Sequence, residues 1–212
     1  MKFKITLKID RKYGDLLPFN YQYEQSAVIY RILAQADTQY SSWLHENGYD
    51  VNGCKRFKLF CYSPFIFEKV RPLPEAGCLK IIGERAVWYI SFIPEKSTFE
   101  FIKGLFDHKS FTIGNKEHRV AFDVVGVEAI PMSQLSEEMT FQAVSPICVK
   151  LHVDNKTQYL SPDNPMFAEG ILKGLMARYE SIHGQPFDIE NKEFSFELTD
   201  KKVKSKLITI KA

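Results

Sequence analysis

Residues 19–62 read FNYQYEQSAVIYRILAQADTQYSSWLHENGYDVNGCKRFKLFCY, and the interpretation of the whole chain starts from this stretch. Apolar residues recur at helical spacing over about residues 22–37, which predicts an amphipathic helix with one buried flank. The segment SSWLHE, residues 41–46, predicts a short second helix that ends at Gly48, since glycine is favoured just after helix C-termini. A polar loop and a strand over about residues 57–67 follow. The predicted order is therefore helix, helix, loop, strand.

The residues before and after this stretch continue the alternation of strands and helices. Residues 2–9, KFKITLKI, alternate apolar and polar side chains, which predicts a half-buried strand with a lysine-rich outer face. A strand over residues 78–92 bends near 83–85, a helix spans about 96–107, and a hairpin spans 111–130. The order strand, helix, strand, strand, helix, strand predicts a ferredoxin-like domain, in which two helices cover one face of an antiparallel sheet. The predicted buried side of the second long helix consists of Phe99, Ile102, Leu105 and Phe106.

A polar, acidic segment, SQLSEE at residues 133–138, is the best candidate linker in the chain. It separates a predicted N-terminal domain, residues 1–132, from a predicted C-terminal domain, residues 139–212. The alternation of strands and helices in both halves indicates an α+β fold class.

The second half begins to repeat the element order of the first half. A strand region over residues 139–153 is followed by a helix over 163–183, with Gly184 directly after its end. FSFELT (194–199) and KLITIK (206–211) predict two more strands. The sequence then stops before a second helix and a last strand, so we expect a C-terminal ferredoxin-like domain that is incomplete.

Composition restricts the classes of function. The 212 residues are 45% hydrophobic, which is ample for packed cores, and the net charge of +2 does not by itself indicate a nucleic-acid-binding protein. The four cysteines form no CxxC pair and the N-terminus does not resemble a secretion signal, which predicts reduced thiols and a cytoplasmic protein. Apolar runs are too short for a membrane helix.

Tyr30, His45 and Lys58 are the candidate catalytic residues, because they suit metal-free cleavage of RNA. An imidazole titrates near neutral pH and can take a proton from the 2′-hydroxyl or give one to the leaving 5′-oxygen. A lysine stabilises the extra charge on the phosphate, and a tyrosine orients the nucleophile or assists proton transfer. Taken singly, each of these residue types is more often structural or merely exposed.

Other catalytic classes lack their signatures. The sequence contains no GxxxxGK, GxGxxG, GxSxG or HExxH motif. The remaining histidines, His108, His118, His152 and His183, have no metal-ligand spacing with the cysteines. We therefore predict neither a metal nor any other cofactor.

Two lysine-rich strips are candidate RNA-binding surfaces in a nearly neutral chain. The first strip, on the outer face of the predicted strand 2–9, consists of Lys2, Lys4 and Lys8. The second strip, on one face of the predicted C-terminal hairpin, consists of Lys202, Lys204 and Lys206. Taken alone, each strip favours an ordinary solvated face.

Several segments resemble the Cas-six family of CRISPR repeat-processing endoribonucleases. They are FNYQYEQSAVIYRILAQAD (19–37), WLHE (43–46), KLFCYSPFIFEK (58–69) and FQAVSPICVK (141–150). The resemblance implies two tandem ferredoxin-like domains, also described as RNA-recognition-like. It also implies metal-independent cutting of repeat RNA that leaves a 2′,3′-cyclic phosphate and a 5′-hydroxyl. The family ends in a glycine-rich loop that this sequence does not reach. Because that loop helps to hold RNA, we expect its absence to lower RNA affinity and the stability of the second domain.

The resemblance also places the roles of the site residues. His45 matches the family's general acid or base, Tyr30 the residue that positions or activates the 2′-hydroxyl, and Lys58 the phosphate stabiliser. Lys55 and Arg56 lie close enough to Lys58 to share that assignment, and both are candidate RNA contacts. The implied partner is CRISPR repeat RNA, with other CRISPR effector-complex subunits and a second copy of the chain as further candidates. The alternative is a non-catalytic RNA-binding subunit of the same superfamily, which holds repeat or guide RNA without cutting it.

Overall fold

The computed structural model of the chain describes residues 1–51, 53, 55–132, 134–153, 156–190 and 193–199. Within these residues the chain forms two compact units. The first unit consists of Met1–Glu46 and Leu59–Ser145, and the second consists of Asn47–Lys58 together with the described residues between 146 and 199.

The described residues form thirteen strands and four α-helices. In chain order the strands are β1 (Lys2–Asp10), β2 (Leu16–Pro18), β3 (Tyr49–Val51), β4 (Lys55–Phe57), β5 (Phe60–Tyr62), β6 (Ile66–Phe67), β7 (Val70–Leu73), β8 (Cys78–Ile81), β9 (Arg85–Phe92), β10 (Ser110–Gly114), β11 (Arg119–Ile130), β12 (Val149–Val153) and β13 (Lys156–Leu160). The helices are α1 (Gln22–Ala36), α2 (Thr38–Glu46), α3 (Glu95–Asp107) and α4 (Met166–His183). Short 3-10 turns lie at Arg11–Tyr13 and Pro74–Ala76.

The main sheet of the first unit has the strand order β10-β11-β1-β9-β5, with β6 also paired to β9. All of these pairs are antiparallel. Helix α1 follows β1 and helix α3 follows β9. Strands β1, β5, β9 and β11 are therefore the first to fourth strands of the strand-helix-strand-strand-helix-strand order. Without the edge strand β10, they lie side by side in the order fourth, first, third, second. This is the ferredoxin-like arrangement that the sequence predicts for this part of the chain.

Strand β1 shows why this sheet has one buried face. Its apolar residues are at most 6% exposed, and they alternate with the lysines of the opposite face. The buried residues of β1 are Phe3, Ile5, Leu7 and Ile9. Because side chains alternate across a strand, a shift of one residue in the β1 register would expose this whole set.

Helices α1 and α3 pack closely against each other at Gly104. A Cβ atom at Gly104 would overlap the backbone carbonyl of Ile32, so only glycine permits this approach. The buried side of α3 consists of Ser97, Thr98, Phe101, Gly104 and Leu105. The predicted buried side is therefore wrong in part, since Phe99 is 65% and Phe106 59% exposed. Phe101 and Leu105 fill the buried side, and Gly104 forms the close contact with α1.

The predicted strand over residues 57–67 is divided into shorter pieces. Strand β4 ends at Phe57, Leu59 has a φ of 54°, and β5 begins at Phe60. A left-handed backbone conformation cannot continue an extended strand, and it is uncommon for a leucine. The predicted strand over 78–92 is likewise two strands, β8 and β9, which separate at the bend expected near 83–85. Strand β8 pairs with β2 and β7 in a small separate sheet.

The second unit contains the hairpin β12–β13, helix α4 and the short hairpin β3–β4. Helix α4 starts where the Asn164 side chain accepts a hydrogen bond from the Met166 N–H at 2.9 Å, and it ends before Gly184 at a φ of 68°, as predicted. Within the predicted strand region 139–153 only β12 is a strand. A further strand, β13, lies between β12 and the helix, where the sequence analysis predicted none. Residues 194–199 form no strand, and residues 206–211 lie outside the described residues.

Candidate functional site

Helices α1 and α2 bring Tyr30 and His45 together within the first unit. The two ring centroids lie 5.0 Å apart and the ring planes meet at 84°, an edge-to-face contact. Tyr30 is half-buried and also meets the Phe60 ring edge-on at 5.8 Å, whereas His45 is exposed in the last turn of α2. The pair therefore combines a tyrosine held by its neighbours with an imidazole that is open to solvent.

A tight connection between the two helices fixes this contact. Asp37 lies between α1 and α2, and its carboxylate accepts a hydrogen bond from the Tyr40 N–H at 2.8 Å, which caps α2. The pKa of Asp37 is lowered mainly by that hydrogen bond, and Lys96 also lowers it from 3.4 Å. The Ser41 hydroxyl donates to the backbone carbonyl of Tyr30 at 2.8 Å. These bonds hold the start of α2 against α1 beside Tyr30.

The surroundings of Tyr30 make its phenol harder to ionise. Burial, with a smaller effect from the neighbouring Tyr62, raises the pKa of Tyr30 to about 12. Burial also raises the pKa of Tyr62, whose hydroxyl donates to the Gln22 carbonyl at 3.0 Å. At neutral pH Tyr30 can therefore donate a hydrogen bond but does not supply a phenolate base.

Lys58 ends the part of the second unit that contains the β3–β4 hairpin. Its side chain is half-buried beside Gly48, where a Cβ atom would lie 3.3 Å from Lys58 Cδ and Nζ and 2.6 Å from the Phe57 carbonyl oxygen. Gly48 also has a φ of 70°, so both its conformation and this close approach require glycine. Burial, followed by the charge of Arg56, lowers the pKa of Lys58. That Lys58 acts in one catalytic site with Tyr30 and His45 stays a prediction.

The candidate RNA-binding lysines of β1 lie on the outer face of the sheet, as predicted from the alternation. Lys2 and Lys8 are exposed, but Lys4 is half-buried and forms an ion pair with Glu128 at 3.1 Å. The ammonium group of Lys2 lies 5.3 Å from the ring centroid of Tyr89, a residue that the sequence interpretation missed. Arg85 and Tyr89 are four residues apart on β9, so their side chains lie on the same face of the strand. This even spacing is the sequence signal that could have identified Tyr89.

The other candidate RNA contacts belong to different parts of the chain. Lys55 and Arg56 are exposed on β4, in the second unit. Lys202, Lys204 and Lys206 lie outside the described residues. Within the described part of the chain, no three histidine, cysteine, aspartate or glutamate side chains are grouped so that they could hold a metal ion. None of the described helices is both long and apolar enough to cross a membrane.

The strand order of the first unit defines the class of ferredoxin-like α+β proteins. The family model for the N-terminal region of CRISPR-associated protein Cas6 matches residues 16–123, and the model for the C-terminal region matches residues 130–212. Together the two models account for most of the chain, so the chain belongs to the Cas6 family. The predicted domain limits, 1–132 and 139–212, stay a prediction.

Known proteins of this family resemble the chain over most of its length. CRISPR-associated endoribonuclease Cas6 1 of Methanocaldococcus jannaschii is 26% identical over 199 residues, which are 92% of this chain and 71% of that protein. A Cas6 protein of Pyrococcus furiosus named endoribonuclease-like is 26% identical over 189 residues, which are 86% of this chain and 71% of that protein.

A solved structure of a CRISPR-associated protein Cas6 superposes with a TM-score of 0.65 at 25% identity, covering 89% of this chain and 73% of that one. The predicted α+β fold with tandem ferredoxin-like domains is confirmed by this likeness.

Proposed function

We propose that the chain is an endoribonuclease that cleaves CRISPR repeat RNA without a metal ion. Two observations support this proposal: membership of the Cas6 family and the 26% identity to a protein named a CRISPR-associated endoribonuclease. In the proposed reaction the 2′-oxygen forms a bond to the adjacent phosphorus while the bond from phosphorus to the 5′-oxygen breaks. The products are a 2′,3′-cyclic phosphate and a 5′-hydroxyl.

The contact between Tyr30 and His45 is the single structural observation that carries the proposal. A phenol is protonated at neutral pH and burial makes Tyr30 still harder to ionise, so proton transfer in this pair falls to His45, and Tyr30 donates a hydrogen bond to the reacting RNA. An exposed histidine held edge-on against a tyrosine can reach a bound RNA and keeps a defined ring orientation. In this scheme His45 serves one end of the reaction, either as the base that takes the 2′-hydroxyl proton or as the acid that gives a proton to the leaving 5′-oxygen, and water exchanges the proton at the other end.

Lys58 is proposed to stabilise the phosphate in the transition state. The non-bridging phosphate oxygens gain negative charge as the 2′-oxygen attacks, and a preorganised cation lowers the energy of that charged state. Because Lys58 is partly buried, its ammonium group is less screened by bulk water and attracts a nearby anion more strongly. Lys55 and Arg56, which are exposed on β4, are proposed to bind the flanking phosphates.

The proposal is tested by incubating the protein with end-labelled repeat RNA from its own organism's CRISPR array in excess EDTA. We expect one discrete cut that persists in EDTA. The upstream fragment should carry a 2′,3′-cyclic phosphate, identified by its mass and by its resistance to phosphatase until acid opens the ring. Cleavage that disappears in EDTA and returns with added magnesium would contradict the metal-free reaction.

A second candidate function is a protein that binds repeat RNA without cutting it. The endoribonuclease-like name of the Pyrococcus furiosus relative favours this alternative, because that protein is as similar to the chain as the named endoribonuclease. The same incubation distinguishes the two functions. Retention of the labelled repeat RNA in a native gel, with no cut at any enzyme concentration, would indicate the binding protein.

A further inference from the structure

A polar cavity of about 310 Å³ lies in the first unit, apart from Tyr30 and His45. Its walls come from the 3-10 turn Arg11–Tyr13, from helix α1 and from the edge strand β10. We call this cavity the Tyr13 pocket, and its lining includes the side chains of Lys12, Tyr13, Arg31, Gln35 and His108. This volume is at the small end of the range for ligand sites, enough for about one nucleotide.

The Tyr13 pocket carries a local excess of positive charge. Lys12 and Arg31 are both exposed at its wall, and none of the described residues that line it is acidic. The guanidinium group of Arg31 donates to the Thr112 carbonyl at 3.2 Å, a bond that uses one of its five N–H donors and fixes the group at the pocket. Lys12 also pairs with Asp10 at 3.1 Å, so Arg31 is the stronger candidate for an anionic ligand.

Tyr13 adds an exposed aromatic ring to these cations. The ring is 55% exposed, and it has the Lys12 ammonium 5.4 Å and the Arg119 guanidinium 5.8 Å from its centroid. An exposed ring flanked by cations is the combination that single-stranded nucleic acids require, since bases stack on the ring while phosphates meet the cations.

We propose that the Tyr13 pocket binds one nucleotide of single-stranded RNA, with the base stacked on Tyr13 and the adjacent phosphate on Arg31. This inference rests on the proposed function, because it supposes that repeat RNA is the ligand. The pocket contacts a part of the RNA away from the cut, so it contributes to affinity and position rather than to proton transfer. Stacking does not depend on base identity, and the contact therefore tolerates different sequences.

The test measures binding of labelled repeat RNA by fluorescence anisotropy at several salt concentrations, in a His45→Ala background that preserves the RNA. We expect Tyr13→Leu to weaken binding by roughly tenfold, since it removes the stacking surface, whereas Tyr13→Phe keeps it. Arg31→Ala should lower the slope of log affinity against log salt by about 0.7, the value for one phosphate of a single strand, and Arg31→Lys should restore that slope.

The matched controls are Tyr23→Leu and Arg71→Ala. Tyr23 is 57% exposed on α1, nearly as exposed as Tyr13, and Arg71 is an exposed arginine of the same unit; neither lines the pocket. Melting temperatures show whether any variant loses its fold. RNA containing 4-thiouridine, irradiated and digested, should give a cross-link that tandem mass spectrometry places at Tyr13.

Equal affinity and equal salt slope for Tyr13→Leu, Arg31→Ala and the two controls would overturn the pocket proposal. That result is separable from failure of the proposed function. If the protein with His45 intact binds repeat RNA but does not cut it, the nuclease proposal fails while the pocket is still measured through binding. If it does not bind the repeat RNA at all, both proposals fail.

Discussion

The ring of Tyr30 meets the imidazole of His45 edge-on, with centroids 5.0 Å apart, because only Asp37 separates the end of α1 from the start of α2. This short connection turns α2 back onto α1, and the Ser41 hydrogen bond to the Tyr30 carbonyl holds it there. A pair of side chains fifteen positions apart in sequence is thus placed by local hydrogen bonds.

The hydroxyl of Tyr30 should matter more than its ring. Tyr30→Phe keeps the contacts with His45 and Phe60 but removes the donor, so we expect single-turnover cleavage to slow by about 100-fold. RNA affinity should change little. The control is Tyr23→Phe, which removes a hydroxyl from an exposed position of the same helix. Cleavage by Tyr30→Phe at the rate of the unmodified protein would remove Tyr30 from the mechanism.

Buried tyrosines should make the fold sensitive to alkaline pH. Burial raises the pKa of Tyr21 to about 12, while the Phe65 N–H that donates to its hydroxyl at 2.9 Å opposes this shift. The unfolded chain loses this proton near pH 10, before the folded chain does. The contribution of Tyr21 to the free energy of unfolding is therefore complete below pH 10 and is lost as the pH rises from 10 to 12.

Urea unfolding between pH 9 and pH 12 measures this effect. Tyr21→Phe should flatten the decline in stability above pH 10, whereas Tyr13→Phe, at an exposed ring, should leave the slope unchanged. The comparison of slopes cancels the titration of other groups in the same pH range. An identical decline in both variants would show that Tyr21 does not titrate as its burial requires.

Lys58 and Lys55 should have separable effects. Removing the proposed transition-state cation in Lys58→Ala should slow single-turnover cleavage by roughly 100-fold, a cost of about 3 kcal/mol. Lys55→Ala, at an exposed position on β4, should instead weaken RNA binding and leave the rate at saturating enzyme within about twofold. If Lys55→Ala slowed cleavage and Lys58→Ala only weakened RNA binding, Lys55 rather than Lys58 would be the residue that stabilises the phosphate.

Gly48 should be required for the placement of Lys58. In Gly48→Ala the new Cβ atom would press on the Phe57 carbonyl and on the Lys58 side chain, in addition to the strain of a positive φ. We expect a loss of at least about 1 kcal/mol of stability, together with slower cleavage.

Gly53→Ala is the matched control for this change. Gly53 has a similar φ of 68° between β3 and β4, but a Cβ atom there would meet nothing within 4 Å. It should therefore lose stability from backbone strain alone and retain the cleavage rate. Equal cleavage rates for the two alanine variants would exclude a positioning role for Gly48.

The contact of α3 with α1 should tolerate no side chain at position 104. Gly104→Ala forces the helices apart beside Ile32, and we expect a loss of about 3 kcal/mol, at the high end for overpacking. Gly174→Ala on α4 should instead stabilise the protein, because there the new atom would meet only the end of the flexible Arg178 side chain. Thermal unfolding of both variants measures the difference, and a stable Gly104→Ala variant would contradict the close packing.

The sequence predicts the parts of the fold that follow from a simple repeat. The alternation over residues 2–9 predicts the buried and exposed faces of β1, and the helical spacing after Tyr21 predicts α1. The orientation of α3 is less predictable. Phe99 and Phe106 have helical spacing but lie exposed, whereas Gly104 lies on the buried side of α3 against Ile32 of α1. Hydrophobicity alone does not reveal that a glycine forms this contact.

The break at Leu59 could not be predicted from residue type. Leucine rarely adopts the left-handed conformation, yet Leu59 has a φ of 54° at a buried position directly before β5, which pairs with β9. The Tyr13 pocket was missed for a similar reason. Tyr13, Arg31 and His108 are far apart in sequence and are brought to one cavity by the sheet order.

The most direct test of the central proposal is single-turnover cleavage of repeat RNA in EDTA by the His45→Ala variant, with and without added imidazole. If His45 transfers the proton, cleavage should fall by at least about 100-fold and should recover in part when imidazole supplies the missing group. His183→Ala, at an exposed histidine in the last turn of α4, should cleave at the normal rate. Unreduced cleavage by His45→Ala would contradict the account, because no proton transfer would then depend on the residue held against Tyr30.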